Sequence, residues 1–398
     1  MGIDEDFNEY YQIPPDHPRY DPGIFYEDLP RDDKTANRPR YNNLEGMAQR
    51  MKAGIPGYSI VDYAFKDAAG TLEYPPTGRS GMNTGYYSWT PLGRSVKPPG
   101  VPAWDASPEE ATKVITKAGK YFGALEVGVC MMDKRFVYAK SGGKPIVFEE
   151  VDEPYVTDEK AVIPEKCKYV INIIVPMEFT ENSYAPTPLE VTSNMGYSRM
   201  HVTAGHLAEM IRGLGYTAIP CGNDTAFSVP LAIKGGLGHL SRNGRLIHWK
   251  WGQLTRICKI FTDLPLKPAE KMAPKGIVEF CEVCEKCSKE CPSGSVPTGL
   301  RTNTNPDRPN LNPGALKWYN NEATCSDYWH DVGTGCSICL RTCDWTNPQG
   351  WEHDMVIWFI KNVPQLNKFW VFMDDLMGRG KMSDPSKYWD IPIEKHRN

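Results

Sequence analysis

The sequence predicts an α+β chain, a layered core of helices and strands followed by a ferredoxin-like segment for two iron–sulfur clusters. Two observations carry that reading. Between about residues 107 and 266, helix-period and strand-period stretches alternate, the pattern of a layered domain. Downstream, Cys281, Cys284, Cys287 and Cys291, with Pro292 after them, spell C-x2-C-x2-C-x3-C-P. Four thiolates at that pitch, closed by a proline, wrap a [4Fe–4S] cube. The expected organisation is an irregular N-terminal wrap over 1–105, the core over 106–273, the ferredoxin-like segment over 274–348 and a helical tail over 349–398.

The wrap is rich in proline, glycine, tyrosine and charge, as at Pro14-Pro15, Pro18, Pro22 and Pro75-Pro76, with a short helix at Leu44–Met51. Thr84–Pro91 (TGYYSWTP) is an aromatic loop. The core opens with a helix from Ser107, which can cap while Pro108 fits the first turn and Glu109 and Glu110 complement the dipole. Strands are expected at Ala124–Met131 and Phe136–Ala139. Tyr169–Met177 (YVINIIVPM) is apolar throughout and suits a strand buried on both faces. Met200–Leu214 reads as a helix and Thr217–Pro220 as a short strand. Ser228–Leu240 begins as helix and ends as a glycine-rich turn. Arg245–Trp249 and Arg256–Thr262 read as a strand pair. In the tail, Trp351–Met377 is helical with a break at Pro364. Its Ile357, Ile360, Phe369, Phe372, Met373 and Leu376 are expected to face the core.

In ferredoxins of this kind the fourth cysteine of the run ligates the other cluster, so a second set is required. Cys336, Cys339 and Cys343 form C-x2-C-x3-C, and Cys325 lies upstream. By the crossing rule Cys281, Cys284, Cys287 and Cys343 hold one cluster, and Cys291, Cys325, Cys336 and Cys339 the other. Zinc prefers two separated pairs closing one tetrahedron, and disulfide frameworks belong to short secreted chains. Cys130, Cys167, Cys221 and Cys258 stand singly among apolar residues and read as small buried hydrophobes.

Composition narrows the partners. Net charge is −4 with acids and bases mixed, so no basic stripe offers itself to nucleic acid. No apolar run reaches the ~18 residues of a membrane span. The N-terminus shows neither twin arginines nor an apolar signal core, which fits a cytoplasmic chain or one whose leader is gone. Two clusters occupy only part of the chain, so the remainder suits a catalyst that needs strongly reducing electrons. Gly235-Gly236-Leu237-Gly238 lacks the last glycine of G-x-G-x-x-G, where Ser241 stands, and follows a helix, which disfavours a dinucleotide fold. D-x-H-x-x-G is absent, so a corrinoid here would be held base-off, with one axial face open.

Residues 195–266 contain LAEMIRGLGYTAIP, N-D-T followed by S-V-P-L-A, GGLGHLSRNGRLI and TRICKIFTDLPL, and CEVCEKCSKECP and CSICLRTC follow in order. Over roughly 105–348 the chain resembles the corrinoid-dependent reductive dehalogenases of organohalide-respiring bacteria. That resemblance implies a nitroreductase-like corrinoid-binding core fused to the two-cluster domain. It implies a tyrosine, an asparagine and an arginine around the open face of cobalt, here Tyr197, Asn223 and Arg256. Tyr197 would give the proton, Arg256 would stabilise the phenolate, and Asn223 would offer an amide N–H to the halogen. The resemblance further assigns Met200, Ser228, Gly236, Leu237 and Gly238 to the corrinoid, and Tyr86, Tyr87, Trp89, Tyr328 and Trp329 to the substrate wall. Two departures are His239, where an acid is common, and Trp249-Lys250-Trp251, which replaces a proline-containing stretch.

The implied activity is reductive cleavage of a carbon–halogen bond in a small chlorinated aliphatic compound, with a lean to chloroalkanes such as chloroform or trichloroethane. The implied partners are a small membrane anchor protein and a respiratory electron donor, with a homodimer as an option. The implied location is the outer face of the cytoplasmic membrane after loss of a twin-arginine leader. Two other readings stand beside it. An epoxyqueuosine reductase would use the same cofactors but needs a basic groove for tRNA. An electron-transfer subunit would hold clusters and no corrinoid.

Overall fold

The computed structural model describes residues 2–22, 44–72, 81–93, 97, 99–304, 312–347 and 350–392; Pro75-Pro76 of the wrap lie outside these. Helices α1 (Ile3–Tyr11), α2 (Leu44–Lys52) and α3 (Ile60–Ala69) precede the core. Helix α4 (Pro108–Tyr121) begins where the Ser107 hydroxyl accepts the Glu110 N–H at 3.2 Å. Strand β1 (Glu126–Met131) follows, then a small sheet of β2 (Lys140–Ser141), β3 (Lys144–Glu149), β4 (Tyr155–Val156) and β5 (Ala161–Pro164). Next come β6 (Tyr169–Pro176), α5 (Thr187–Gly213), β7 (Ala218–Cys221), α6 (Ser228–Lys234), a hairpin of β8 (His239–Leu240) and β9 (Leu246–Ile247), and β10 (Thr255–Thr262). The cysteine segment holds α7 (Ile277–Cys284), α8 (Lys286–Lys289), α9 (Glu322–Val332) and α10 (Ile338–Arg341). The tail holds α11 (Trp351–Asn362) and α12 (Asn367–Leu376).

The main sheet runs β1-β6-β10-β7, antiparallel throughout. Strand β6 is buried on both faces, as its apolar run requires. Val170 and Ile174 pack with Leu231 and Ile233 of α6 and with Phe7 and Tyr11 of α1. Ile171, Ile173 and Val175 pack with Ile115 of α4 and with Leu207 and Ile211 of α5. Each such side chain contributes roughly 1.5–3 kcal/mol by leaving water. Two apolar layers on one sheet give the layered core. Cys130, Cys167, Cys221 and Cys258 are buried within it, and none of the twelve cysteines is in a disulfide. Among the described residues, no helix is long and apolar enough to cross a membrane.

Four elements differ from the sequence expectation. Phe136–Ala139 is no strand; a 3-10 turn covers Lys134–Phe136, and Val137 makes a single bridge to Ala226. The helix expected from Met200 already starts at Thr187, because Pro188 is tolerated in the first turn and so does not delay it. The stretches at 245–249 and 256–262 do not pair with each other. Leu246–Ile247 folds back on β8, while β10 inserts between β6 and β7. In the tail Ile360 is buried, but α12 buries Asn367 and Asp374 and leaves Phe369, Phe372 and Leu376 outside. The apolar stripe of α12 is therefore not its buried face.

Candidate active site

Tyr197 lies midway along α5, on the face turned toward β10. The Tyr197 hydroxyl oxygen accepts hydrogen bonds from Nη1 of Arg256 at 3.0 Å and Nδ2 of Asn223 at 3.2 Å. The Arg256 guanidinium also stands over the Tyr197 ring, 4.2 Å from its centroid. A helix, a strand and a turn thus bring together the three residues singled out by the resemblance. A phenol oxygen that accepts two N–H donors still has its own O–H to give.

Each partner is held in place. Arg256 pairs with Val175 in the sheet register. A Cβ at Gly196 would lie 2.7 Å from Cγ of Arg256, so the residue before the tyrosine has to be small for the guanidinium to reach it. Asn223 sits in a turn fixed by Lys259, whose buried ammonium donates to the Gly222 carbonyl and to Oγ of Ser228 (3.0 Å). Burial lowers the Lys259 pKa, the cost of placing a cation inside the sheet. The Gly222 N–H donates to Oδ1 of Asp224 at 2.7 Å and tightens the turn. Below the tyrosine, Nδ1 of His201 lies 2.8 Å from the Tyr197 carbonyl, and the His201 ring stacks on Tyr87 at 4.0 Å.

Asn223 and Ser228 line a cavity of about 580 Å³, within the range of small-molecule sites. Aromatic side chains form much of its wall, among them Tyr138, Phe227 and Trp318, and Arg245, Lys317 and Glu322 bring charge to it. Burial pushes the Lys317 ammonium down to about 8. Arg245 presents open surface, but that surface faces the cavity, and protein surrounds the side chain. Of the other residues assigned to the corrinoid, Met200 packs in the core and Leu237 against Gly128. Gly238 lies so close to β9 that a Cβ there would meet the Ile247 carbonyl at 2.0 Å, and Gly236 turns toward Lys271.

The aromatic candidates separate. Tyr87 is buried beside Gly222 and near enough to Tyr197 for their charges to interact; burial drives its phenol well above the usual value. Tyr86 is exposed and packs on Gly205, and Trp89 is buried in the core. Tyr328 and Trp329 are half-buried on α9, where Tyr328 interacts with Cys336 and Cys291. Trp249 packs edge-on against Trp345 at 5.0 Å, beside the cysteine segment.

Among the described residues, no three or more His, Cys, Asp or Glu side chains converge as the ligands of one metal ion. Electrostatic neighbours nevertheless sort the eight clustered cysteines. Cys343 interacts with Cys281 and Cys287, and Cys284 with Cys343 and Cys281. Cys336 interacts with Cys325 and Cys291, and Cys339 with Cys336 and Cys291. Cys287 also feels Cys339, so the two groups adjoin. Burial raises most of these thiols, Cys281 and Cys336 to about 11 and Cys325 and Cys339 to about 12. Cys291 is lowered: burial opposes its charge, but hydrogen bonds from Ser293 and nearby backbone outweigh it. Eight thiols gathered into two adjoining groups fit positively charged inorganic centres, which deprotonate coordinating thiols.

Sequence reasoning missed the residues that support this arrangement: Lys259, Gln253, whose Nε2 donates to Sγ of Cys343 at 3.2 Å, and Arg245. The signal was that Arg245 stands within GGLGHLSRNGRLI and Lys259 within TRICKIFTDLPL, two of the stretches that carry the resemblance.

No family model matches the chain. It is 33% identical over 376 residues to the tetrachloroethene reductive dehalogenase of Sulfurospirillum multivorans, covering 87% of this chain and 74% of that protein. It is 31% identical over 336 residues to the tetrachloroethene reductive dehalogenase of Desulfitobacterium hafniense, covering 76% and 59%. A solved catabolic reductive dehalogenase superposes with a TM-score of 0.66 at 20% identity, covering 95% of this chain and 49% of that one. A second solved reductive dehalogenase, studied for its B12-dependent dehalogenation, gives 0.65 at 18% identity, covering 98% and 49%. The chain thus spans about half the length of these solved structures and shares their fold.

Proposed function

The chain belongs to the reductive dehalogenases, oxidoreductases of the corrinoid and iron–sulfur type, and from that footing we propose that it replaces a halogen by hydrogen in a small chlorinated aliphatic compound. The reaction consumes two electrons and one proton and releases halide. When bound, a corrinoid would supply low-valent cobalt able to break the carbon–halogen bond, with electrons arriving singly from two [4Fe–4S] clusters. Two features support that cofactor set: the two adjoining cysteine groups and the cavity that Asn223 and Arg245 line. Cys281, Cys284, Cys287 and Cys343 would hold one cluster, and Cys291, Cys325, Cys336 and Cys339 the other. The nitroreductase-like corrinoid core would then be residues 106–273 and the ferredoxin-like domain 274–348.

The observation that carries the reading is the doubly accepting phenol of Tyr197. Arg256 and Asn223 fix the oxygen, leave its proton for the carbon that loses halide, and receive the charge left behind. The second N–H of the Asn223 amide serves the departing halide. Tyr87 closes the apolar side against water. The relatives' names point to chloroethenes, so both chloroalkenes and chloroalkanes such as chloroform belong in the substrate panel.

Attachment to the outer face of the cytoplasmic membrane through a small anchor protein, reduction by a respiratory donor, and a homodimeric state complete the proposal. The exposed Trp358, Phe369, Phe372 and Leu376 of the tail support a docked partner. N-terminal sequencing of the native protein tests for a leader. For the chemistry, Tyr197→Phe is expected to retain iron and corrinoid and to lose dehalogenation by about 10²–10⁴-fold with a reduced viologen as donor. Full activity in that variant removes Tyr197 as proton donor, and iron-loaded protein that takes up no corrinoid removes the whole reading.

A further inference from the structure

The turn between β8 and β9, Ser241 to Arg245, touches both cysteine groups and reaches toward the tyrosine. Arg242 donates to the Cys281 carbonyl at 2.8 and 3.1 Å and to the carbonyls of Pro297 and Gly299 at 3.0 and 2.8 Å. Asn243 donates from Nδ2 to the Cys339 carbonyl at 3.2 Å and to Gln253 at 2.8 Å, and Gln253 reaches Sγ of Cys343. The turn is closed without the Arg245 side chain. Ser241 Oγ donates to the Arg245 carbonyl at 2.8 Å and accepts the Arg245 N–H at 3.0 Å. Gly244 supplies the left-handed φ of 76°. The Arg245 guanidinium is left to face the cavity, close enough to Cys325, Cys339, Glu322 and Tyr197 to interact with all four.

We propose that Arg245 is a positioning residue for electron delivery. Its fixed charge, set between the Cys291/Cys325/Cys336/Cys339 group and the Tyr197 phenol, makes that group the station that holds an electron before it enters the cavity. The inference rests on the cluster reading above. A permanent cation in a low-dielectric site stabilises an added electron beside it, and arginine cannot lose that charge. The other group has mixed surroundings: the buried Arg242 guanidinium holds the Cys281 carbonyl and interacts with Cys281 and Cys287. Next to the same group the Lys286 ammonium meets Asp344 at 2.9 Å, Asp375 at 3.0 Å and Asp374 closer still, one cation against three carboxyl groups. On the cavity side, Arg245 adds a fixed positive charge that draws an added electron toward the Cys291 group.

The test is a potential rather than a rate. In an EPR-monitored redox titration of the holoenzyme, Arg245→Gln is expected to lower one of two one-electron steps, with a tenfold or greater fall in its reduced-to-oxidised ratio at fixed potential (about 59 mV per tenfold). The other step stays where it is. Arg245→Lys keeps the charge and should retain the wild-type step, and Glu322→Gln should raise that same step. The inference is overturned if Arg245→Gln moves both steps equally or neither, or if Arg245→Lys behaves like Arg245→Gln. Should Arg245→Gln lose iron, an unmoved step in Glu322→Gln overturns it. Wild-type protein lacking two one-electron steps would instead sink the cluster reading and leave this inference without its premise.

Discussion

At the N-terminal end, Lys234 of α6 meets Asp133 at 2.6 Å and Asp4 of α1 at 2.9 Å, and Arg135 meets Asp133 at 2.7 Å. At the C-terminal end, Lys286 of α8 meets Asp344, Asp374 and Asp375, with Asn347 donating to Asp374 at 2.7 Å. Both clusters fasten a terminal helix to the body, α1 in the first case and α12 in the second. Their balance differs. Asp133 sits between two cations; burial opposes its charge, but Arg135 and Lys234 hold the carboxyl down at about 2. Lys286 sits among acids, which outweigh its burial and raise its pKa, while burial and Asp374 push Asp344 well above the carboxylate range. Removing the hub thus leaves like charges crowded at one end and a still-paired lysine at the other. Helix α1 also buries Phe7 and Tyr11, whereas α12 fully buries only Asn367 and Asp374 and lays Trp370 and Val371 half-buried against Phe280 and Ile360.

That contrast can be broken at several points. Lys286→Met should have the largest effect, about 3–5 kcal/mol lost in denaturant unfolding, since the buried Asp374 carboxylate, crowded by Asp344 and Asp375, loses its counter-ion. Asp133→Asn should cost less, roughly 2–3 kcal/mol, because Lys234 keeps Asp4. Asp133 also has a pH signature. Its carboxyl is depressed from 3.8 to about 2, so its contribution is complete above about pH 4 and disappears as pH falls through 2. Asp133→Asn should flatten that acid limb in a stability-versus-pH series, and an unchanged limb would discard Asp133 as its source. Asp4→Asn, with the Asp4 carboxylate half in water, should cost under about 1 kcal/mol and less in high salt. Phe372→Ser should fall within about 0.5 kcal/mol, because Phe372 already faces solvent; a loss of several kcal/mol would mean that the α12 stripe is buried after all.

How far the sequence could be read follows the same divide. The Ser107 cap, the β6 strand and the break at Pro364 rest on local chemistry and were legible. The facing of α12 was not, because periodicity records which side chains are apolar and not which face an ion cluster draws inward. The partners of β10 were equally hidden, since pairing between distant strands leaves no local mark. At the site, Tyr197, Asn223 and Arg256 were named through resemblance, and their meeting at one oxygen emerged only from geometry. Lys259 and Arg245 stand in stretches that carry the resemblance, but nothing marks them within those stretches, because a lysine in a strand and an arginine after a glycine look ordinary until the cavity is known.

Strand β10 carries Arg256 toward α5 and, three residues on, Lys259 toward the turn that bears Asn223. One extended segment of main chain therefore acts as the ruler for both sides of the phenol, and its spacing is set by the pleat rather than by side-chain choice. Variation in the surrounding loops can accumulate without moving the Tyr197 phenol, whereas a single inserted residue between 256 and 259 would swing one of the two supports to the wrong side.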